Sequence, residues 1–229
     1  MDRYSKILEK DKREIVLLKS FPCFWGKCRF CDYVEDNSTS KEELIALNHK
    51  ILKNITGEFQ VLEVINSGSC FELPGETLEE IRKIIQDKNI KKLYLEAHWA
   101  YRNRLQEMRD FFKIPIIFKV GVETFDRGFR QGVLNKNADF TSPEEVCEYF
   151  DSPCLMIGIE GQTKEMIQKD IAILLQYFRY GTINIYTNNA TPVKRDDKLV
   201  EWFIEEYGFL KDHPSIDFLV ENTDFGVGD

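Results

Sequence analysis

Ile15-Val16-Leu17-Leu18-Lys19-Ser20-Phe21 is a short run rich in large and β-branched side chains, and Pro22-Cys23-Phe24-Trp25-Gly26-Lys27-Cys28-Arg29-Phe30-Cys31 follows it directly. The first stretch predicts a strand, because such residues pack well on a pleated surface. The second sets three thiols within nine positions just beyond that strand. Outward from this point the pattern repeats. Ser40 to Asn54 opens with a Ser and has Glu43 three residues on, a capping box, and its Leu44, Leu47 and Ile51 fall at helical spacing.

Further strands are predicted over Val61 to Ser67, Lys92 to Glu96, Ile116 to Gly121, Cys154 to Gly158 and Thr182 to Tyr186. The helices between and after them run over Thr77 to Gln86, Arg102 to Phe112, Ser142 to Phe150, Lys164 to Phe178 and Asp197 to Glu206. Strands alternating with helices imply a parallel α/β sheet with right-handed crossovers. Six such units leave two architectures, a partly open (β/α)6 barrel and a doubly wound sheet, and both place chemistry at the C-terminal strand ends. The cysteines, Ser67-Gly68-Ser69, Glu96, Glu123, Gly158 and Thr187 to Asn189 all fall at that end. Ile216 to Val220 reads as a seventh strand, and residues 208–229 as a C-terminal cap or tail over the mouth of the strands.

No linker or shift of composition divides the 229 residues, so one domain spanning 1–229 is expected. The composition, 43% hydrophobic and 13% aromatic, is ordinary for a globular protein, and no apolar run is long enough for a bilayer. The charged start, Met1 to Glu14, has no apolar stretch of a signal peptide, which points to the cytoplasm. Acidic residues outnumber Lys and Arg by 39 to 31, a net charge of −8. That balance disfavours a nucleic-acid partner, which needs a basic face beyond local pairs such as Lys91-Lys92 or Lys194-Arg195, and favours a small-molecule substrate.

Cys70, Cys147 and Cys154 are scattered among apolar neighbours and read as small buried hydrophobes. Cys23, Cys28 and Cys31 read as metal ligands in a cluster loop covering 22–33. Three cysteines satisfy three irons of a [4Fe-4S] cube and leave the fourth open to a non-protein ligand. Zinc is the alternative; it needs a fourth ligand and usually shows paired Cys-x2-Cys arms, of which the chain has one. The nearest histidine, His49, falls on a predicted helix.

The loop resembles the radical-SAM signature, in which three cysteines follow the first strand and an aromatic residue, here Phe30, precedes the last; four residues rather than the usual three separate the first two cysteines. Asn66-Ser67-Gly68-Ser69 stands where that superfamily has its glycine-rich motif. Gly121-Val122-Glu123-Thr124 with Asn135-Lys136 resembles its fourth-strand segment, and Gly158-Ile159-Glu160-Gly161-Gln162-Thr163 its fifth. Together with Asn188-Asn189-Ala190-Thr191-Pro192 and the short length, the loop looks like that of the queuine lyases, radical-SAM enzymes of base salvage.

The resemblance implies a partial (β/α)6 barrel of parallel strands, a [4Fe-4S] cluster on Cys23, Cys28 and Cys31, and S-adenosylmethionine (SAM) near Ser67, Gly68, Ser69, Glu96, Glu123, Gly158 and Ile159. It further implies a flavodoxin or ferredoxin reductant, and a 5'-deoxyadenosyl radical that splits free queuine to leave its aminomethyl-deazaguanine base, preQ1. Such a base offers N1-H and a 2-amino group, and its diol and amine suit carboxylates and amides. Candidates on this chain are Asp32, Glu35, Asn188, Asn189, Glu221 and Asp224, with Tyr33 and His98 as stacking surfaces. The rival readings are a radical-SAM enzyme acting on tRNA or another substrate, and a nonenzymatic iron-sulfur or zinc module.

Overall fold

The computed structural model describes residues 2–221 and 223–228. They group into two compact units, residues 2–26, 33–118 and 225–228 in one and residues 27–32, 119–221, 223 and 224 in the other.

The first unit is built on β1 (Tyr4–Ile7), β2 (Arg13–Leu18), β3 (Val61–Asn66) and β4 (Lys92–Glu96). β2, β3 and β4 are parallel, with Val16 beside Val64 and Val64 beside Leu95. Ile15, Val16, Leu18, Leu62, Val64, Leu93 and Leu95 are all fully buried. A parallel strand covered on both faces reads as such an unbroken apolar run, which is why β2 stood out in the sequence. The helices are α1 (Lys41–Leu52), α2 (Gly75–Asp87) and α3 (Leu105–Phe112). Ser40 caps α1, accepting the Glu43 N–H at 3.3 Å. The Glu43 carboxylate does not complete the expected capping box; it takes Ser38 Oγ at 2.8 Å and Lys19 Nζ at 2.9 Å.

Three differences from the sequence reading fall in this unit. β1 pairs antiparallel with β2, Tyr4 opposite Val16; it is a four-residue strand whose charged neighbours masked it. Residues Phe225 to Gly228 lie along β1 rather than over the strand ends: Gly228 donates to the Asp2 carbonyl at 2.8 Å and Phe225 lies against the Arg13 guanidinium, 5.4 Å from ring centre. They cover an edge that would otherwise offer unpaired backbone. The helix predicted from Arg102 is a 3-10 turn at Trp99–Arg104, followed by α3.

The second unit carries β5 (Ile116–Glu123, its residues from Lys119 on), β6 (Ser152–Ile157), β7 (Gly181–Ile185) and β8 (Ile216–Leu219). These are parallel in chain order, so the seventh predicted strand is present as β8. Its helices are α4 (Pro143–Cys147), α5 (Lys164–Tyr177) and α6 (Asp197–Tyr207). Ser142, Thr163 and Asp196 cap them through side-chain oxygens. Cys70 and Cys154 are buried as expected, but Cys147 is exposed: α4 is little more than one turn, and Val146 is its inward residue. None of the six cysteines is in a disulfide. No helix among the described residues is long and apolar enough to cross a membrane.

Candidate active site

The Cys23 arm of the loop belongs to the first unit. β2 ends at Leu18, and the chain that follows is tied to a 3-10 turn, Cys70–Glu72, just beyond β3. The Phe21 N–H donates to the Glu72 carbonyl at 3.0 Å. The Glu72 carboxylate, on a residue only 7% exposed, accepts the Phe24 N–H at 3.1 Å and the Tyr101 hydroxyl at 2.9 Å on Oε1, and the Ser69 N–H on Oε2. Burial, and then the bond to Glu72, push the Tyr101 hydroxyl well above its usual pKa. The Phe24 ring meets His98 and Tyr101 edge-on, at 5.5 and 5.8 Å. Gly26 turns the loop with a left-handed φ of 56°. Cys23, Gly26, Val34 and Asn37 line one open pocket of this unit.

Cys28 and Cys31 belong to the second unit. Both pack against a buried cluster of Phe30, Phe129, Leu134, Ile159 and Tyr186. Three bonds fix this arm: the Arg29 N–H donates to the Leu134 carbonyl at 2.9 Å, Asn135 Nδ2 to the Lys27 carbonyl at 2.8 Å, and Asn189 Nδ2 to the Phe30 carbonyl at 2.8 Å. Beside them, Lys136 Nζ makes an ion pair with Glu123 at 2.6 Å and lies 5.5 Å from the Phe30 ring centre. Burial opposes the Lys136 charge. Glu123 and the nearby Cys28 and Cys31 outweigh it, so its pKa lies above the ordinary lysine value. Glu123 is at a bulge ending β5 with φ 62°, and Gly121 makes room for the pair: a Cβ there would sit 2.5 Å from Glu123 Oε1 and 2.7 Å from Lys136 Nζ.

The structure brings some sequence-predicted residues to these arms and commits others to local bonds. Ser67 Oγ bonds the Asp36 carbonyl, and Ser69 Oγ accepts the His98 N–H at 2.8 Å. Gly68 leaves space for Glu72. Glu96 ends β4, half-buried. His98 Nδ1 accepts the Ala100 N–H at 3.1 Å and so caps the following turn. Tyr33 and Glu35 are exposed on the 3-10 turn after the loop, and Asp32 is half-buried.

At the end of β6 the Gly158 and Ile159 N–H groups are both taken by Gln162 Oε1, at 2.9 and 3.0 Å, while Gln162 Nε2 donates to the Met156 carbonyl. What Ile159 presents toward Phe30 is its side chain. Asn188 Oδ1 accepts the Arg195 N–H at 2.9 Å, and Asn189 Oδ1 accepts from Thr191 and Tyr186. Asp224 accepts the Val220 and Glu221 N–H groups in an exposed turn.

Glu72, Tyr101 and the role of Gln162 are not marked as site residues in the sequence. The capping pattern Ser69-x-x-Glu72 was visible. Its long-range bond to Phe24, 48 positions away, was not.

The donor set fits an iron-sulfur cluster. All three loop cysteines are half-buried thiols outside any disulfide, two of them lie against an apolar wall, and a buried ammonium stands by to offset anionic charge. Among the described residues no three His, Cys, Asp or Glu side chains already converge as ligands of one metal ion.

Parallel βα units with three cysteines just past an early strand define the class: this is a radical-SAM protein, with an α/β fold of the radical-SAM type. The structure of a queuine lyase from Clostridium spiroforme bound to SAM and queuine matches it with a TM-score of 0.99 and 61% identity, covering 100% of both chains. The chain belongs to the queuine lyase family. A radical SAM methyltransferase from Sphaerobacter thermophilus shares the fold at a TM-score of 0.64 and 14% identity, over 94% of this chain and 68% of that one. An uncharacterized protein of Methanocaldococcus jannaschii is 26% identical over 140 residues, 53% of this chain; the match spans only 38% of that relative's length. No protein-family model matches the chain.

Proposed function

We propose that this chain holds a [4Fe-4S] cluster on Cys23, Cys28 and Cys31, cleaves SAM reductively, and splits free queuine at a carbon-nitrogen bond to release preQ1. The observation that carries the reading is the full-length, 61% identical match to a queuine lyase bound to SAM and queuine, in a chain whose loop supplies three thiols.

When bound, the cluster supplies the electron that breaks a sulfur-carbon bond of SAM and so generates the radical that attacks substrate. The protein's own residues supply position and a dry enclosure. Phe30, Leu134, Ile159 and Phe129 keep water from the Cys28 and Cys31 sulfurs. Lys136 offsets the charge of those sulfurs, and Glu123 holds Lys136 in place.

In this reading Ser67, Gly68, Ser69, Glu96, Glu123, Gly158 and Ile159 form the SAM side. The N–H groups of Gly158 and Ile159 are engaged by Gln162, and the Ile159 side chain packs against Phe30. Asp32, Tyr33, Glu35, His98, Asn188, Glu221 and Asp224 serve the base and its diol. Asn189 acts on Phe30 by positioning. A flavodoxin or ferredoxin in the cytoplasm supplies the electron.

The test is spectroscopic. Anaerobically reconstituted protein reduced with dithionite should show an electron paramagnetic resonance signal that changes on adding SAM, and Cys23→Ala, Cys28→Ala and Cys31→Ala should each abolish it. Protein that holds zinc, or a cluster whose signal ignores SAM, refutes the proposal.

A further inference from the structure

We propose that Glu72 is a positioning residue for the arm of the cysteine loop that carries Cys23. One residue engages the chain on both sides of Pro22-Cys23: its carbonyl accepts the Phe21 N–H at 3.0 Å and its carboxylate the Phe24 N–H at 3.1 Å. Pro22 has no N–H of its own, so these two bonds set the path of a segment that has no regular structure around it. A neutral acceptor would hold the Phe24 N–H more weakly, because bonds to a charged group are about twice as strong as neutral ones.

The surroundings are built to keep that carboxylate in place. Tyr101 donates to the same oxygen that takes Phe24, at 2.9 Å, and its ring stacks on Phe71 with centroids 4.7 Å apart. Ser69 engages the other oxygen. A Cβ at Gly68 would come within 2.7 Å of Glu72 Oε2, so glycine there leaves the carboxylate its room. The bond to Ser69 by itself is the ordinary bond of a local turn. The bond to Phe24, between β3's end and the loop, is what lifts Glu72 beyond a cap.

Glu72→Gln separates these roles. The variant keeps size and one acceptor oxygen, but its amide must set an N–H donor against either the Ser69 N–H or the two donors at Oε1. In the full-length, metal-free chain kept anaerobic, the Phe24 amide of Glu72→Gln should exchange about tenfold faster than in the native chain, as for loss of roughly 1.4 kcal/mol of hydrogen bonding. Cys23 should be alkylated several-fold faster, with Cys28 and Cys31 unchanged. Tyr101→Phe, which leaves the Phe24 bond and removes one donor, should give a smaller change in the same direction.

In the reconstituted protein, loss of the negative charge should move the cluster's midpoint potential to a more positive value. Unchanged Phe24 exchange with equal alkylation of all three cysteines overturns the proposal. So does a uniform acceleration across the first unit, which marks general destabilisation; if Glu72→Gln fails to fold, Tyr101→Phe alone decides by the same readout. Only the potential rests on the cluster reading. The exchange and alkylation results stand whether or not SAM is the cosubstrate.

Discussion

The side-chain amide of Asn189 donates to the backbone carbonyl of Phe30 at 2.8 Å, across 159 positions of sequence. Phe30 is the residue between Arg29 and the last loop cysteine, and it is only 6% exposed. Its carbonyl therefore depends on Asn189 for a partner. Asn189→Asp keeps the acceptor toward Thr191 and Tyr186 but turns an oxygen toward the Phe30 carbonyl. It is expected to lose more cluster iron per chain than Asn189→Ala, with each variant destabilised by about 1–3 kcal/mol. Iron analysis after reconstitution and chemical denaturation measure both.

Lys136 and Glu123 are 14% and 6% exposed and 2.6 Å apart. Removing one partner of such a pair leaves the other charge uncompensated, which is far more damaging than replacing both. Lys136→Met should destabilise the chain by about 3–5 kcal/mol, and Glu123→Gln combined with Lys136→Met should recover much of that loss. A double-mutant cycle on unfolding free energies reads the coupling; strictly additive effects would show that the two do not act as a pair.

Gly158 has φ 89°, and a Cβ placed there would lie 2.2 Å from Val200 Cγ2 on α6. Gly158→Ala combines crowding worth about 1–3 kcal/mol with left-handed backbone strain worth about 1–2 kcal/mol. Val200→Ala in the same chain should restore part of the crowding term and none of the strain. Thermal unfolding of the single and double variants tests this.

Asp170, on α5, is fully buried; its Oδ1 accepts the Phe125 N–H at 2.7 Å and its Oδ2 has no partner among the described residues. Burial pushes its pKa up to about 7, against the bonds from Thr124 and Phe125 that lower it. The folded chain then keeps a proton that the unfolded chain releases near pH 4. Because the native state binds more protons between those values, stability must fall as pH rises from about 4 to about 7. Asp170→Asn keeps the acceptor for Phe125 and has nothing to titrate. Its denaturation midpoint should lack that fall, seen as a pH-dependent difference from the native chain between pH 4 and 8.

The alternation of strands and helices was legible because most of the parallel strands are buried apolar runs and four of the six helices start on a capping side chain. Ser40, Ser142, Thr163 and Asp196 all mark helix starts in the chain. β1 was hidden, since an edge strand of four residues with polar and charged side chains carries no burial pattern. The cysteines could be read because a ligand set is a matter of residue type and spacing.

Their supports could not. Glu72, Asn189, Asn135 and Gln162 act through hydrogen bonds to backbone, and the first three reach across tens of residues or more. An amide that braces a carbonyl looks, in sequence, the same as one waiting for a ligand. Asn189 accordingly reads as a candidate for substrate, whereas its Nδ2 is engaged by Phe30.

The most direct measurement is mass analysis of a single anaerobic incubation of reconstituted protein with SAM, dithionite and queuine. The expected products are 5'-deoxyadenosine together with preQ1, and neither from Cys28→Ala. Formation of 5'-deoxyadenosine while queuine survives intact would contradict the proposed substrate, and absence of both products from iron-loaded protein would contradict the chemistry.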